Sequence, residues 1–455
     1  MERKKLIGII TSYMTAFIVF VSVLVNSLDT DKEKLQVLEG TLLFNSNDIV
    51  MVQDKSNVIY TFNNYNMDVC DKGNILLKYS GILDKNKDVQ DVSIIDCTVK
   101  EVMNDSSMPF EWNDEGMFSQ FYKLAYNKMK NMSLKEKINQ MLLVRYPNDG
   151  IDVLMKEQFG GYIFFERDFS NKGKIDIQKM INDLQEVSKI PILAAVDEEG
   201  GKVVRVSSNP NLIDERFRSP SELYNEGGFK LIKKDTIKKS AFLKELGLNL
   251  NLSPVIDVVS DKNAYMYERS IQGNTALTSE YAKTVIEASK NTGVSYVLKH
   301  FPGYGNNKDT HFSSVIDNRS YDDIYANDLP PFEEGIKALA EAILVSHNIV
   351  NGIDANNPAT LSPTIHNLLR NEFKFTGIII TDDLEMNAIS KENDVYTRAI
   401  LAGNDLIITS NYNKAYNDII EAINNNTINI DTIDRHATRL LAWKYYKGLF
   451  YEHEK

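Results

Sequence analysis

From Phe118 onward the chain repeats one pattern eight times, a short apolar run followed by a stretch of helical periodicity. The runs are MLLVRY from Met141, GYIFF from Gly161, PILAAV from Pro191, LNLNLSPV from Leu248, GVSYVL from Gly293, AILVS from Ala342, GIIIT from Gly377 and DLIITS from Asp405. Short, near-continuous apolar runs of this kind suit strands buried on both faces. IQKMINDLQEVSK from Ile177 and EYAKTVIEASKNTG from Glu280 read as amphipathic helices between them. Alternating strands and helices imply parallel pairing through crossovers. Eight such units fit an α/β fold of the (β/α)8 TIM-barrel type better than a doubly wound sheet, which is the alternative. Ser133 and Glu136 have capping-box spacing and predict a helix start ahead of the first strand.

A barrel of this type builds its active site at the carboxyl ends of its strands. Polar residues gather there: Asp197 after PILAAV, Asp257 after LNLNLSPV, Lys299 and His300 after GVSYVL, His347 after AILVS, and Asp382 and Asp383 after GIIIT. The densest stretch is Lys299 to His311, KHFPGYGNNKDTH, where Pro302, Gly303 and Gly305 break regular structure. Asp383 is expected to cap a following helix. No glycine-rich phosphate loop and no nucleophile elbow occurs in the right context. His300, His311 and His347 with Asp382 match no metal-binding helix spacing, and Lys299 opposes a cation, so neither a metal nor another cofactor is expected.

Ahead of the barrel, residues 30–103 read as short alternating strands, QVLEGTLLF, DIVMVQ, NVIYTF, NILLKY and DVSIIDC, a small all-β barrel or sandwich. A polar linker, 104–117, separates it from the catalytic domain, 118–455. Leu6 to Val25 contains no charged residue and follows Glu2-Arg3-Lys4-Lys5, which predicts an N-terminal transmembrane helix within residues 1–29. The catalytic domain is then expected outside the cytoplasm, tethered to the cell membrane, or secreted if cleavage follows Ser27. A net charge of -12 excludes nucleic acid as a partner and leaves a small sugar or peptide substrate open. Cys70 and Cys97 are expected as buried thiols, with one bridge between them as the alternative. A monomer is expected.

KHFPGYGNNKDTH, DLPPFEEGI, SHNIV, PATLSPTIHNLLR, GIIITDDLEMNAI, DEEGGKVVR from Asp197, LNLSPVIDV from Leu250 and ERS from Glu268 together resemble the catalytic domain of glycoside hydrolase family 3, in particular its bacterial β-N-acetylglucosaminidase branch. The resemblance spans nearly all of Met132 to Phe450. It implies a (β/α)8 barrel and retaining hydrolysis through a covalent glycosyl-enzyme, with Asp382 as nucleophile. It also implies His311 as acid/base, paired with Asp309, and Asp197, Arg205, Arg269, Lys299 and His300 as substrate-binding residues. The implied substrate is a terminal N-acetylglucosamine on peptidoglycan fragments. Tyr304 departs from the pattern, since many members carry histidine there. The helix HATRLLAWKYYKGLF, where many family 3 β-glucosidases carry an α/β sandwich, favours the hexosaminidase branch. A phosphorylase or β-glucosidase using the same residues, or a non-catalytic wall-binding protein, are the alternatives.

Overall fold

The computed structural model describes residues 23–24, 35–46, 49–53, 59–63, 74–80 and 92–98, for which the backbone is considered, and 116–310, 315–389 and 392–450. The chain divides into two compact units, Met1–Leu124 with Lys455, and Ala125–Glu454. In the first unit, β1 (Val23–Leu24), β2 (Leu35–Ser46), β3 (Ile49–Gln53), β4 (Ile59–Asn63), β5 (Asn74–Ser80) and β6 (Val92–Thr98) match the five predicted strands plus one. They form one antiparallel sheet of order β4-β3-β2-β5-β6, with β1 on β2. Val23–Leu24 corrects the end of the predicted transmembrane helix: it is extended and pairs with Leu38 and Val37. Valine and isoleucine suit strands as well as membrane helices, so hydrophobicity alone does not separate the two. The rest of Leu6 to Val25, and Cys70, lie outside the described residues. Among the described residues no helix is long and apolar enough to cross a membrane.

All eight predicted parallel strands are present in the second unit: β7 (Leu142–Arg145), β8 (Gly161–Phe164), β9 (Leu193–Val196), β10 (Leu250–Asn251), β11 (Ser295–Phe301), then, after the short β12 (Ile316–Asp317), β13 (Ala342–Val345), and, after the short β14 (Ile349–Val350), β15 (Ile378–Thr381) and β16 (Ile407–Thr409). Their order, β15-β13-β11-β10-β9-β8-β7-β16, is that of a barrel opened between β15 and β16. A parallel bridge from Ile380 to Leu406 brings those two ends together. Each strand's core positions are buried, as a sheet covered on both faces requires. The capping box forms as expected, with Glu136 N–H donating to Ser133 Oγ and Ser133 N–H to Glu136 Oε2.

The helix Ile430–Tyr446 lies under the amino ends of the strands and ties five of them together. Lys444 Nζ donates to Gln140 Oε1 at 2.7 Å and to Gly160 O at 2.9 Å, just before β7 and β8. Trp443 Nε1 donates to Glu341 Oε2 before β13, and Lys447 Nζ, just past the helix, to Asn249 O before β10. Asp405, fully buried before β16, accepts from His436 Nδ1 at 2.8 Å, Arg439 at 2.9 Å and Arg370 at 2.6 Å. Burial opposes the charge of Asp405, but the Arg439 and Arg370 guanidiniums and the His436 hydrogen bond hold its carboxylate below the usual range.

Among the described residues Lys444 has no carboxylate partner, and burial pushes its ammonium from the ordinary lysine range down to about 7. Between those values the unfolded chain binds a proton that the folded chain does not, so stability rises with pH through the window. Lys444→Met is expected to remove this rise, by up to ~1.4 kcal/mol per pH unit. Denaturant midpoints at about pH 7.5 and about pH 9.5 check it. An equal rise in wild type and variant would show that Lys444 is charged in the folded state.

Candidate active site

Lys299 and His300 sit inside β11, which runs on to Phe301, rather than in the loop where the first charged residue suggested it would start. The register with β13 shifts between Lys299 and Phe301, a bulge that turns two consecutive polar side chains to different neighbours. Lys299 Nζ lies 2.7 Å from Asp197 Oδ1 and 2.7 Å from Glu199 Oε1. Arg269 grips the same Glu199, Nη2 to Oε1 at 2.7 Å and Nε to Oε2 at 3.0 Å. Two carboxylates and two cations thus form one charge-balanced row at the carboxyl ends of β9 and β11. Burial opposes the charge of Glu199, but Arg269 and Lys299 hold its carboxyl well below the usual range. Asp197, with 17% of its side chain exposed, opens the row to solvent, where it can accept from a sugar hydroxyl.

Glu199 was not among the residues expected here. Its neighbour Glu198 explains how the segment DEEGG holds its shape: its buried carboxylate accepts from the backbone N–H of Arg205 and Val206 at 2.8 Å and from Ser207. Arg205 stands apart from the charged row, half-buried, with its guanidinium 5.8 Å from the centre of the Phe165 ring.

His300 turns the other way, its Nδ1 donating to Asp257 Oδ2 at 2.8 Å. Asp257 Oδ1 accepts the backbone N–H of Tyr304 at 2.7 Å, so this carboxylate fixes both the strand end and the loop that follows. Tyr304, the departure from the family pattern, is buried; its hydroxyl meets Thr310 Oγ1 at 2.5 Å and accepts the Thr310 N–H at 3.0 Å, which draws the far end of the loop back onto the barrel. Gly303, at φ 121, packs where a Cβ would fall 2.4 Å from Asp328, so only glycine fits. Beneath it Arg319 bridges Asp328 and Asp317, each at 2.6 Å, and Asp317 accepts from Asn307 at 2.9 Å.

Asp382 follows β15, half-buried, with its N–H on Val345 O and its Oδ1 accepting the Asp383 N–H at 2.9 Å. Tyr265 and Tyr304 relate it to Asp309: burial raises both phenols, and the charges of Asp382 and Asp309 raise both further. Asp309 is half-buried on the Tyr304 loop; His311 lies outside the described residues. Asp383 does not cap a helix, because the chain leaves β15 in turns and the next helix begins at Val395; its Oδ1 accepts the Glu385 N–H at 3.0 Å. Burial pushes its carboxyl up to about 6. His347 is buried and donates Nε2–H to Asp383 O at 3.0 Å, bracing the segment that carries Asp382.

A separate cleft lined by Val259, Tyr267, Asn274, Asn306 and Arg319 touches none of Asp197, Lys299 or Asp382. Among the described residues, no group of three or more His, Cys, Asp or Glu is placed to hold a metal ion. What the arrangement offers is a carboxylate, Asp382, and a charge-balanced polar grip at the same end of the barrel strands, the groups needed for attack on a sugar held by its hydroxyls.

The family model for the glycosyl hydrolase family 3 N terminal domain matches residues 133–443. The β-hexosaminidase of Nitrosomonas eutropha is 29% identical over 259 residues, covering 55% of this chain and 74% of the relative. That of Idiomarina loihiensis is 30% identical over 256 residues, covering 55% and 76%. A glycoside hydrolase family 3 β-N-acetylglucosaminidase from Paenibacillus superposes with a TM-score of 0.66 at 26% identity over 70% of this chain, which spans 63% of that structure. A family 3 glycosyl hydrolase from Mycobacterium smegmatis gives a TM-score of 0.62 at 25% identity, covering 69% of this chain and 98% of that one.

Proposed function

The chain belongs to glycoside hydrolase family 3, and from that premise we propose that it is a retaining exo-β-N-acetylglucosaminidase releasing terminal N-acetylglucosamine from peptidoglycan-derived glycans. The observation that carries this reading is the joint placement of Asp382 and Asp309: both charges act on Tyr265 and Tyr304, beside the row Asp197, Lys299, Glu199 and Arg269. The curated relatives named β-hexosaminidase support the choice of sugar. In the first step an Asp382 oxygen attacks the anomeric carbon and the glycosidic bond breaks, while His311 gives its proton to the leaving oxygen. In the second, water attacks the anomeric carbon, its bond to Asp382 breaks to restore the carboxylate, and His311 takes the water's proton. Asp309 orients that imidazole and stabilises its charged form. The basic residues Arg3, Lys4 and Lys5 ahead of the apolar stretch from Leu6 support a location outside the cytoplasm, where peptidoglycan is the accessible glycan.

The test is a comparison of nitrophenyl N-acetylglucosaminide with nitrophenyl glucoside, phosphate present and absent. A kcat/KM at least ~10²-fold higher for the N-acetylglucosaminide, with free sugar as product, is expected, because a site that hydrogen-bonds the acetamide rejects a sugar lacking it. Preference for the glucoside overturns the sugar assignment, and a sugar 1-phosphate product overturns hydrolysis.

A further inference from the structure

Arg145 ends β7 at the carboxyl ends of the barrel strands. Its guanidinium lies 4.3 Å from the centre of the Phe165 ring, over which Arg205 also lies, at 5.8 Å. The Nε atoms of both arginines are buried and find no hydrogen-bond acceptor. Neither guanidinium forms an ion pair within the described residues. Asp168 and Asp383 feel the charge of Arg145, yet Asp168 is committed to the Phe165 N–H at 2.8 Å and to Arg167 at 3.4 Å, and neither carboxylate reaches Arg145.

The contrast with the neighbouring row is chemical. Asp197, Lys299, Glu199 and Arg269 neutralise one another and suit the uncharged hydroxyls of a pyranose. Arg145 and Arg205 share an aromatic wall, carry two positive charges and keep buried donors unmatched. Leaving such buried donors unmatched is unfavourable, and a ligand oxygen would relieve it. Two planar guanidiniums form the donor set that phosphate and carboxylate oxygens fit, and that hydroxyls do not need. Arg145, Phe165 and Arg205 are all half-buried, and Arg145 and Phe165 stand at the carboxyl ends of β7 and β8, the end of the barrel that also carries Asp197 and Asp382.

We propose that Arg145 and Arg205 over Phe165 form an oxyanion subsite that recognises an acidic substituent, phosphate or carboxylate, on the glycan. The proposal rests on reading this face as the glycan site. Calorimetric binding needs no turnover and so separates the two. The probes are N-acetylglucosamine, its 6-phosphate, its 3-O-lactyl carboxylate derivative and inorganic phosphate, each with the wild-type full chain, Arg145→Gln and Arg145→Lys. At least one acidic sugar is expected to bind wild type about tenfold more tightly than the neutral sugar. Arg145→Gln should erase that preference and Arg145→Lys keep part of it, the neutral sugar reporting that each variant is folded. Equal affinity for neutral and acidic sugars overturns the subsite, as does a preference that survives in Arg145→Gln. Inorganic phosphate binding as tightly as the sugar phosphate overturns recognition of a substituent. Failure of every sugar to bind, neutral ones included, overturns the glycan reading and the subsite with it.

Discussion

Asp382→Asn is expected to abolish turnover of every glycoside, by at least ~10⁴-fold in kcat, because the amide keeps the volume and the backbone contacts of the carboxylate but cannot form a glycosyl ester. The backbone N–H of residue 382 donates to Val345 O whatever the side chain, and an asparagine oxygen can accept the Asp383 N–H as the carboxylate does. A loss of activity therefore reports chemistry rather than collapse. His311→Ala gives the contrast. A general acid contributes ~10²–10⁴-fold where the leaving group is poor, and little where it is already stable. That variant should spare a nitrophenyl N-acetylglucosaminide and lose a disaccharide. Single-turnover kinetics of both variants on both substrates make the measurement. Residual activity above about 1% in Asp382→Asn would move the nucleophile elsewhere.

Glu199→Ala carries the largest expected effect on stability. The side chain is 2% exposed and neutralises Arg269 and Lys299 together, themselves 9% and 3% exposed. Removing it leaves two buried cations with Asp197 as their remaining carboxylate. Losing one partner of a buried ion cluster costs ~3–5 kcal/mol, roughly 10 °C in the melting temperature of the barrel. The sign with pH follows from the lowered carboxyl of Glu199. Its contribution is complete above the ordinary glutamate range and drains as acid takes the pH below that range. The difference between wild type and variant should hold constant from about pH 8 to about pH 5 and narrow below. Thermal unfolding of both proteins across that range checks it, and a difference under about 3 °C at neutral pH would show that the cations find other partners.

The barrel was legible because strands covered on both faces are apolar almost without interruption, and every such run became a strand. The weakest is instructive. LNLNLSPV yields only Leu250–Asn251 as β10, and there the side-chain oxygens of Asn249 and Asn251 add to the backbone ladder, accepting the N–H of Ala194 and of Glu198, each at 2.9 Å. The positions of Asp197, Lys299, His300 and Asp382 at one end of the strands also followed from the pattern. Their partners did not. The Lys299–Asp197 contact joins residues 102 apart in sequence. What lets a lysine stay charged inside β11 is therefore invisible in its neighbours. Glu199 looked like one more acid in DEEGG, and nothing local to MLLVRY shows that Arg145 lacks an acceptor. Asp383 was misjudged for a different reason: aspartate after a strand favours a helix cap, but here it serves a turn.

The floor of the barrel has a consequence for how the protein is made. β7 pairs with β16, so the first strand of the ring waits for residues 407–409. The contacts beneath it wait longer still, for His436, Arg439 and Lys444. A ribosome that has delivered seven strands has delivered an open parallel sheet with two bare edges, the form most prone to pairing with another chain. The amino-terminal sheet runs on a different clock. Every one of its pairings lies between residues 23 and 98, and it can be complete before the first barrel strand has been synthesised.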